Sequence, residues 1–327
     1  RLLVQAERKN NTRAINFLTK YSRLNALNTY LNSFVKGIAN HTRPSGLLHA
    51  NFNQTTTATG RLSSSRPNFQ NQPKGGKFPV RKAVVSRFEG GLLGEIDYSQ
   101  LEFRVAGILS GDKQILDDVT SGKDIHSQTA MIINKCAANT VTKSMRQAAK
   151  AYTFAPLYGG MGAGEAPHVQ EYFKSYFDIY SGLKKWHKKL MDGVIEDGLV
   201  RIPCGREFSF PDAVRFRNGR VSGATQIVNF PVQSHATGTI VPLACVRALR
   251  AFKMRNLRSK LILTVHDSIV IDIYPGELEQ VKECAVWAMR DIENEIEERF
   301  GYKLPIPLDI EMEVGKNWME MSEVSLN

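Results

Sequence analysis

The stretch LLGEIDYSQLE, residues 92–102, is a short apolar run that passes abruptly into polar residues at Asp97. A second stretch of the same kind, LILTVHDSIVI (residues 261–271), carries Asp267 between two apolar runs. Hard divalent cations take oxygen ligands, often one or two carboxylates together with substrate phosphates. Two cations about 3.5–4 Å apart can hold the attacking and leaving oxygens of a phosphoryl transfer. The two aspartates therefore predict a metal-dependent phosphoryl-transfer site if the fold brings them together, whereas each one alone is also typical of a turn.

The positive charge of the chain is concentrated near its beginning. The 327 residues carry a formal net charge of +11, and 42% of them are hydrophobic, enough for a large core in one to three domains. Residues 1–90 hold 15 basic and 2 acidic residues, a net of +13, while the remainder holds 28 basic and 30 acidic residues, a net of −2. Such one-sided charge suits a polyanionic partner, because phosphate contacts release counterions. A solubilising surface is the alternative interpretation.

Neither a disulfide framework nor a membrane span is indicated. The four cysteines are scattered without a C-x-x-C pair, which favours a reducing compartment and argues against a structural zinc site. No apolar run approaches the ~20 residues needed to cross a bilayer, and no signal peptide is visible. We therefore expect no membrane partner.

Composition and periodicity divide the chain into helical and extended segments. The residues after 40 are rich in Thr, Ser, Asn, Gly and Pro, which predicts loops with short strands up to about residue 80, or a simple linker. Two apolar runs on either side of His266-Asp267 predict a hairpin with Asp267 at its tip. Helices are expected over about 1–40, 100–110, much of 113–200, 233–257 and 276–299, a short hairpin over 201–210, and further strands over 91–97 and 308–314.

A third motif lies between the two aspartates. Arg146, Lys150, Phe154 and Tyr158 are four residues apart, so on a helix they share one face, with two cations followed by two aromatic rings. The cations suit a triphosphate and the rings suit a base and a sugar; two solvated cations beside two core aromatics are the alternative. Pro156 predicts a bent last turn, which makes the placement of Tyr158 the least secure of the four.

These motifs together resemble family A DNA polymerases, the DNA polymerase I group. The resemblance is carried by DYSQLE (97–102), by the Arg146-to-Gly159 motif and by His266-Asp267, in the order of the three polymerase motifs. Further segments agree with the family from about residue 20 to the end: TGRLSSS (59–65) with PNFQN (67–71), DIH (124–126), NFPVQ (229–233) before the last palm helix, and EVG (313–315) with Trp318.

The resemblance implies an α+β fold with the right-hand architecture of palm, fingers and thumb. The palm is expected to contain an antiparallel sheet, the fingers to be helical, and the thumb to be partial and helical. The implied division is partial thumb 1–45, first part of the palm 46–112, fingers 113–224 and second part of the palm 225–327.

The resemblance also implies a set of site residues and an activity, the addition of deoxynucleotides to a primer 3′ end. Asp97 and Asp267 would bind two Mg²⁺ ions, for which Mn²⁺ can substitute, with the Tyr98 carbonyl as a further ligand. Glu102 and Tyr158 would close the space of a ribose 2′-hydroxyl. The full nucleotide-binding set is Gln100, Glu102, His126, Arg146, Lys150, Phe154 and Tyr158. The residues implied to contact primer-template DNA are Arg61, Asn68, Asn71, Asn229, Gln233 and His266, and for Asn68 and Asn71 a turn-forming role is the alternative.

One departure from the family pattern bears on the site. Ser268 stands where the family usually has Glu, which puts a carboxylate role at that position in doubt and favours a divergent, phage-encoded branch. The chain would begin inside the thumb, so the expectation is no 3′–5′ proofreading activity and an incomplete DNA clamp. We expect a monomer in the cytoplasm of a bacterium or of a phage-infected host cell.

Two other functions stay open on the sequence. A single-subunit RNA polymerase shares this fold and commonly carries His-Asp-Ser, as at 266–268, but has a small residue where this chain has Glu102. A catalytically silent nucleic-acid-binding fragment is the other alternative.

Overall fold

The computed structural model describes residues 2–75, 78–160, 162 and 165–326. Its helices are α1 (Leu2–Arg8), α2 (Thr12–Thr29), α3 (Lys36–His41), α4 (Leu101–Ser110), α5 (Lys113–Thr120), α6 (Ile125–Asn134), α7 (Lys143–Leu157), α8 (Pro167–Ile179), α9 (Ser181–Asp197), α10 (Ala224–His235), α11 (Val241–Met254), α12 (Leu278–Ala285) and α13 (Glu293–Phe300). Its strands are β1 (Asn51–Asn53), β2 (Ser63–Ser65), β3 (Leu92–Tyr98), β4 (Leu199–Arg201), β5 (Glu207–Ser209), β6 (Lys260–Val265), β7 (Ser268–Ile273), β8 (Ile310–Gly315) and β9 (Met321–Val324). Segments of π-helix connect several of these helices, over Tyr30–Val35, Ala236–Ile240 and Val286–Arg290.

Strand β3 lies at the centre of an antiparallel sheet with the order β6-β7-β3-β8-β9. Its register against β7 pairs Asp97 with Ser268, and its register against β8 pairs Asp97 with Glu311. Strands β6 and β7 form the predicted hairpin, in which Val265 pairs with Ser268 across the two-residue turn. The sheet therefore brings the two aspartate-bearing segments to the same edge, although 170 residues separate them in the sequence.

The two faces of the sheet are covered differently because side chains alternate along a strand. Ile96 and Tyr98 point into the main core beneath helices α4, α11 and α12, where Phe103 and Val281 are also buried. Leu93, on the other face, packs in a smaller core with Phe69, Leu263, Val265, Val270 and Trp318. Each large apolar side chain buried in this way stabilises the fold by about 1.5–3 kcal/mol, so the position of β3 is fixed from both sides.

Helices α4–α9 form a bundle that shares the main core with the sheet. Helix α8 contributes a row of buried aromatic side chains on one face, Tyr172, Phe173, Tyr176 and Phe177, with Tyr180 immediately after it. Tyr180 packs edge-on against Phe103 of α4, with their ring centroids 5.7 Å apart. This contact joins the aromatic row to the helix that follows β3, and both belong to the same core as Ile96 and Tyr98 of the sheet.

The helices at the start of the chain are more exposed. None of the described side chains of α2 is buried, and Phe17, Tyr21, Leu24 and Leu27 are exposed. Among the described residues, no helix is both long and apolar enough to pass through a bilayer.

The predicted α+β fold with an antiparallel sheet is confirmed, including the hairpin around Asp267 and the short hairpin β4–β5. Three details differ. The helix expected over 233–257 begins at Ala224, so the NFPVQ segment (229–233) lies inside α10 rather than before the helix. The helix expected over 276–299 is interrupted between Val286–Arg290 and α13. Strand β9 was not expected.

The early start of α10 has a physical reason. Pro231 lacks a backbone donor and predicts a helix break, yet Ile227, Val228, Pro231 and Val232 are all buried. Packing of this apolar face outweighs the lost hydrogen bond, and the chain continues through the π-helical turn to α11.

Candidate active site

The carboxyl groups of Asp97 and Asp267 lie within hydrogen-bonding contact of each other. Asp97 stands at the end of β3 and Asp267 in the turn of the β6–β7 hairpin, where the backbone of His266 is left-handed with φ 57°. A left-handed residue allows the two-residue turn to match the twist of its strands. The turn thus aims Asp267 at the neighbouring strand, and the two side chains meet as the sequence predicted.

The proximity of two acids perturbs both of them. Burial, the charge of Asp267 and that of Glu95 raise the pKa of Asp97 to about 8. Burial also raises the pKa of Asp267, although its own backbone N–H and the nearby His266 oppose this. Two carboxylates in contact cannot both ionise easily, so the pair retains a proton near neutral pH unless a cation compensates the charge.

The donor set of this pair fits a hard divalent cation. The Oδ1 atom of Asp97 is buried and has no hydrogen-bond partner, which is unusual for a carboxylate oxygen. The side-chain hydroxyl of Tyr98 donates to the Met289 carbonyl at 3.0 Å, so only the backbone of Tyr98 is left for the site. No cluster of three or more His, Cys, Asp or Glu side chains is placed to hold a metal in the described part of the chain. Two carboxylates with substrate oxygens completing the shell is a typical magnesium arrangement.

Arg61 reaches the hairpin turn from the loop between β1 and β2. Its Nη2 atom lies 2.9 Å from Nδ1 of His266. Burial and then the charge of Arg61 lower the pKa of His266, so the imidazole is neutral and accepts this hydrogen bond. The predicted DNA-contact residues Arg61 and His266 are therefore joined beside Asp267.

Glu102 and Tyr158 meet within electrostatic reach of Arg61 and Asp267. Glu102 is in the first turn of α4, and the hydroxyl of Tyr158 donates a hydrogen bond to its carboxylate. Burial raises the pKa of Glu102, the charge of Arg61 opposes that shift, and the charge of Asp267 adds to it. Gln100, which precedes α4 with a left-handed backbone, has a buried Oε1 atom without a partner. The Glu102–Tyr158 pair thus lies close enough to the acid pair for the charge of Asp267 to act on Glu102.

Helix α7 presents the four-residue stripe much as the sequence predicted. The helix includes Arg146, Lys150 and Phe154 and ends at Leu157, so Tyr158 caps it rather than continuing it. The rings of Phe154 and Tyr158 are still stacked, with centroids 6.4 Å apart and planes 14° apart. Pro156 is accommodated within the last turn, and the stripe is preserved through its two aromatic members.

Arg146 and Lys150 differ in their surroundings. The Nε atom of Arg146 donates to Asp124 at 2.6 Å, and Asp124 also caps α6. Arg146 and Ser127 help to lower the pKa of Asp124 to about 2, although burial opposes the shift. Lys150 forms no ion pair with the described residues. Of the two cations, Lys150 is therefore the one free to meet an anion.

His126 lies beneath this helix. Its Nδ1 atom is 3.2 Å from the hydroxyl of Thr153, and its ring meets that of Phe154 edge-on at 5.2 Å. Burial, then the charges of Lys150 and Arg146, lower the pKa of His126 to about 4. The imidazole is neutral at physiological pH and contributes hydrogen bonds rather than charge.

The predicted DNA-contact residues outside the hairpin are spread over two segments. Asn68 and Asn71 are exposed, and the Asn68 side chain accepts from the Gln70 amide, so Asn68 does form a local turn. Asn229 and Gln233 lie on successive turns of α10, and Oδ1 of Asn229 is buried without a partner. Gln70 links the first segment to the hairpin by donating to the Thr264 carbonyl at 3.2 Å.

Three residues near the site were missed by sequence reasoning. Glu95 is buried two residues before Asp97. Burial alone would lower the pKa of Lys74, but Glu95, Glu313 and Asp97 raise it overall, which places a cation near the acids.

Arg206, from the turn between β4 and β5, donates to the Thr59 carbonyl at 2.9 Å and to Ser234 at 2.5 Å. The sequence signal for Glu95 was a charged residue within the otherwise apolar run of β3.

Comparison with known proteins identifies the family. The profile of DNA polymerase family A matches residues 2–320. The chain belongs to DNA polymerase family A. Family A polymerases use divalent metals. The predicted family membership is thereby confirmed.

Relatives and a solved structure agree with this membership. The chain is 33% identical over 308 residues to DNA polymerase I of Lactococcus lactis and 34% identical over 326 residues to the thermostable DNA polymerase I of Thermus filiformis. These alignments cover 90% and 94% of this chain but only 34% and 36% of the relatives, so the chain spans about a third of their length. The structure is similar to the POL domain of Pol1 from M. smegmatis in complex with DNA primer-template and dNTP, with a TM-score of 0.81 and 27% identity, covering 98% of this chain and 56% of that one.

Proposed function

We propose that this chain carries out template-directed DNA synthesis, adding deoxynucleotides to a primer 3′ end. The observation that carries the proposal is the contact between the carboxyls of Asp97 and Asp267, with one oxygen of Asp97 buried and unpartnered. Such a pair is costly to hold together without a cation. In a family A polymerase domain, a bound divalent metal would offset the negative charge of the two carboxylates.

Two Mg²⁺ ions, or Mn²⁺ in their place, would be held by Asp97, Asp267 and the Tyr98 carbonyl. When bound, they supply Lewis-acid activation of the primer 3′-hydroxyl and offset charge developing on the α-phosphate. The protein's part is to hold the two carboxyls close together, which the β3–β7 register and the hairpin turn achieve.

The incoming nucleotide would lie between the acid pair and helix α7. Lys150 would meet the triphosphate, since no carboxylate of the described residues neutralises it. Arg146 would join it by exchanging Asp124 for phosphate, and His126 would donate or accept as a neutral imidazole. Phe154 offers a ring to the base and sugar. Gln100 would use its unpartnered Oε1 atom for a hydrogen bond at the nucleotide.

Sugar selection would rest on the Glu102–Tyr158 pair. The two side chains hold each other within reach of Asp267, so a ribose 2′-hydroxyl bound there would have to displace one of them. This contact favours a DNA polymerase over a single-subunit RNA polymerase. The His-Asp-Ser sequence at 266–268 is the observation that keeps the RNA polymerase as a second candidate.

The template and primer would lie along the basic N-terminal part of the chain. Residues 1–90 carry the net +13 charge, and Arg61, Asn68, Asn71, Asn229, Gln233 and His266 would touch the last base pairs. We assign residues 1–45 to a partial thumb, 46–112 and 225–327 to the palm, and 113–224 to the fingers. The structural neighbour, a polymerase domain in complex with primer-template DNA and a dNTP, supports these partners. We propose a monomer acting in the cytoplasm of a bacterium or of a phage-infected host cell.

Primer extension with Mg²⁺ tests the proposal. Wild-type protein should extend a primed DNA template with deoxynucleotides, and Asp97→Asn or Asp267→Asn should abolish extension while leaving primer-template binding largely intact. Preference for ribonucleotides would favour the RNA polymerase. Template binding without extension by the wild type would favour a catalytically silent binding protein.

A further inference from the structure

Glu95 is a buried carboxylate directly beside the acid pair. It lies two residues before Asp97 on β3, and side chains two residues apart on a strand share a face. Only 6% of its side chain is exposed. Burying a carboxylate this deeply is costly unless it is hydrogen-bonded or paired with a cation.

The partners of Glu95 come from three separate segments. Its Oε1 atom accepts a hydrogen bond from the Ser268 hydroxyl at 3.0 Å, and its Oε2 atom accepts one from the indole N–H of Trp318 at 2.9 Å. Arg81 approaches Oε2 at 3.4 Å, with its guanidinium 3.9 Å from the centre of the Trp318 ring. The ion pair with Arg81 is thus the longest of the three contacts, and the shorter ones hold the hairpin and the C-terminal segment.

The contact with Ser268 reaches the turn that carries Asp267. Ser268 directly follows Asp267, and its hydroxyl also lies 3.1 Å from the Val265 carbonyl. Val265 and Ser268 are the paired residues on either side of the turn. The Ser268 hydroxyl therefore spans the turn, and Glu95 fixes where that hydroxyl points.

Position 268 is where the resemblance expects a glutamate and this chain has serine. Serine is too short and carries no charge to act as that carboxylate. The structure places a carboxylate on the opposing strand, within hydrogen-bonding distance of the serine.

We propose that Glu95 is a positioning residue for nucleotidyl transfer, which supplies from β3 the third carboxylate expected at position 268 and holds the Asp267 turn through Ser268. The proposal rests on the proposed polymerase function. It predicts that a carboxylate at position 268 can replace the one at position 95. Ser268→Glu should therefore restore the metal binding that Glu95→Ala weakens.

The test uses a complex in which no turnover occurs. Protein is combined with dideoxy-terminated primer-template and the next dNTP, and Mn²⁺ binding is followed by electron paramagnetic resonance for wild type, Glu95→Ala, and Glu95→Ala with Ser268→Glu. Asp272→Ala is the matched control. Asp272 is also a buried carboxylate on the sheet, paired to Arg87 at 2.9 Å and to Ser86 at 2.5 Å, but it lies away from the acid pair.

We expect Glu95→Ala to weaken Mn²⁺ binding by about 10–100-fold, the range typical of residues that orient metal ligands. The double variant should recover most of this loss, and Asp272→Ala should bind Mn²⁺ as the wild type does. Where Glu95→Ala does not fold, Glu95→Gln keeps the size and one acceptor oxygen and should show a smaller loss in the same direction. The Mg²⁺ concentration for half-maximal primer extension should follow the same order.

Mn²⁺ affinity unchanged in Glu95→Ala or Glu95→Gln, or a double variant no better than Glu95→Ala, would overturn the proposal and leave Glu95 a structural ion-pair partner of Arg81. Failure here is distinguishable from failure of the polymerase function. If the wild type extends primers and Asp97→Asn does not, the function stands whatever Glu95 does. Extension by Asp97→Asn would remove the function itself.

Discussion

Tyr158 donates a hydrogen bond to Glu102 from the end of another helix, although 56 residues separate the two in the sequence. The pair ties the end of helix α7 to the first turn of helix α4. We propose that this pair determines which sugar the site accepts. Substitution of either residue removes the contact.

Glu102→Ala should let ribonucleotides in. Loss of the carboxylate opens the space that a 2′-hydroxyl needs, so the ratio of kcat/KM for a dNTP over its rNTP should fall by about tenfold or more, equivalent to about 1.4 kcal/mol. Single-nucleotide incorporation with matched dNTP and rNTP measures the ratio. Tyr158→Phe is the control, because it keeps the ring and loses only the hydrogen bond, and its effect should be smaller. An unchanged ratio in Glu102→Ala would contradict the sugar-selecting role.

Lys150→Ala should mainly weaken nucleotide binding. Its ammonium is the cation of the α7 stripe without an ion-pair partner among the described residues, so its loss removes a phosphate contact without freeing a buried carboxylate. We expect KM for the dNTP to rise by about tenfold or more, corresponding to about 1.4 kcal/mol or more. Steady-state primer extension over a range of dNTP concentrations measures it. Lys143→Ala, an exposed lysine at the start of the same helix, should leave KM unaltered; equal effects of the two would remove the triphosphate role.

The stability of the metal-free protein should fall as pH rises. The pKa of Asp97 is about 8 in the folded chain against 3.8 for an unperturbed Asp, so the folded state keeps a proton that the unfolded state has lost. The contribution is therefore fully present below about pH 4 and is lost progressively up to about pH 8, at no more than about 1.4 kcal/mol per pH unit. Denaturant unfolding in EDTA across this range measures it.

Asp97→Asn supplies the control for the pH experiment, since an amide cannot titrate. Its unfolding free energy should depend less on pH between about 4 and 8 than that of the wild type. Profiles of wild type and Asp97→Asn that run parallel throughout would show that the acid pair holds no shared proton.

Arg206→Ala should destabilise the fold and loosen the loop before Arg61. Arg206 donates to the carbonyls of Thr59 and Gly238 and to the Ser234 hydroxyl, so its loss leaves buried acceptors without partners. Each such group costs about 1–3 kcal/mol, and we expect a loss of about 2 kcal/mol or more in denaturant unfolding. Arg201→Ala on the same hairpin, whose pair with Glu207 is exposed, should cost less than about 1 kcal/mol. Similar losses in both variants would argue against a bridging role for Arg206.

The sequence predicted local patterns well and distant contacts poorly. The apolar runs around Asp97 and Asp267 are long enough to identify strands, and the four-residue spacing of the α7 stripe identifies a helix face. The predicted helix start at about residue 233 was wrong: α10 begins at Ala224, because burial of its apolar face outweighs the backbone hydrogen bond that Pro231 lacks. Residue types with strong local preferences thus predicted the helices and strands correctly, except where tertiary packing outweighed the local preference.

Distant contacts that belong to no motif could not be predicted from the sequence. Nothing in the residues around Glu95 indicates that Ser268, 173 positions away, donates to it. Arg206 likewise has no local pattern that points to Thr59, 147 positions earlier. Such partners depend on strand order and on loop placement, which only the folded chain defines.

The most direct measurement of the central claim is anomalous X-ray diffraction from crystals of the protein grown with dideoxy-terminated primer-template, the next dNTP and Mn²⁺. We expect Mn²⁺ between the acid pair, within about 2–2.5 Å of a carboxylate oxygen of both Asp97 and Asp267. Anomalous signal that touches only one of these side chains, or that lies elsewhere while nucleotide and primer are bound, would contradict it.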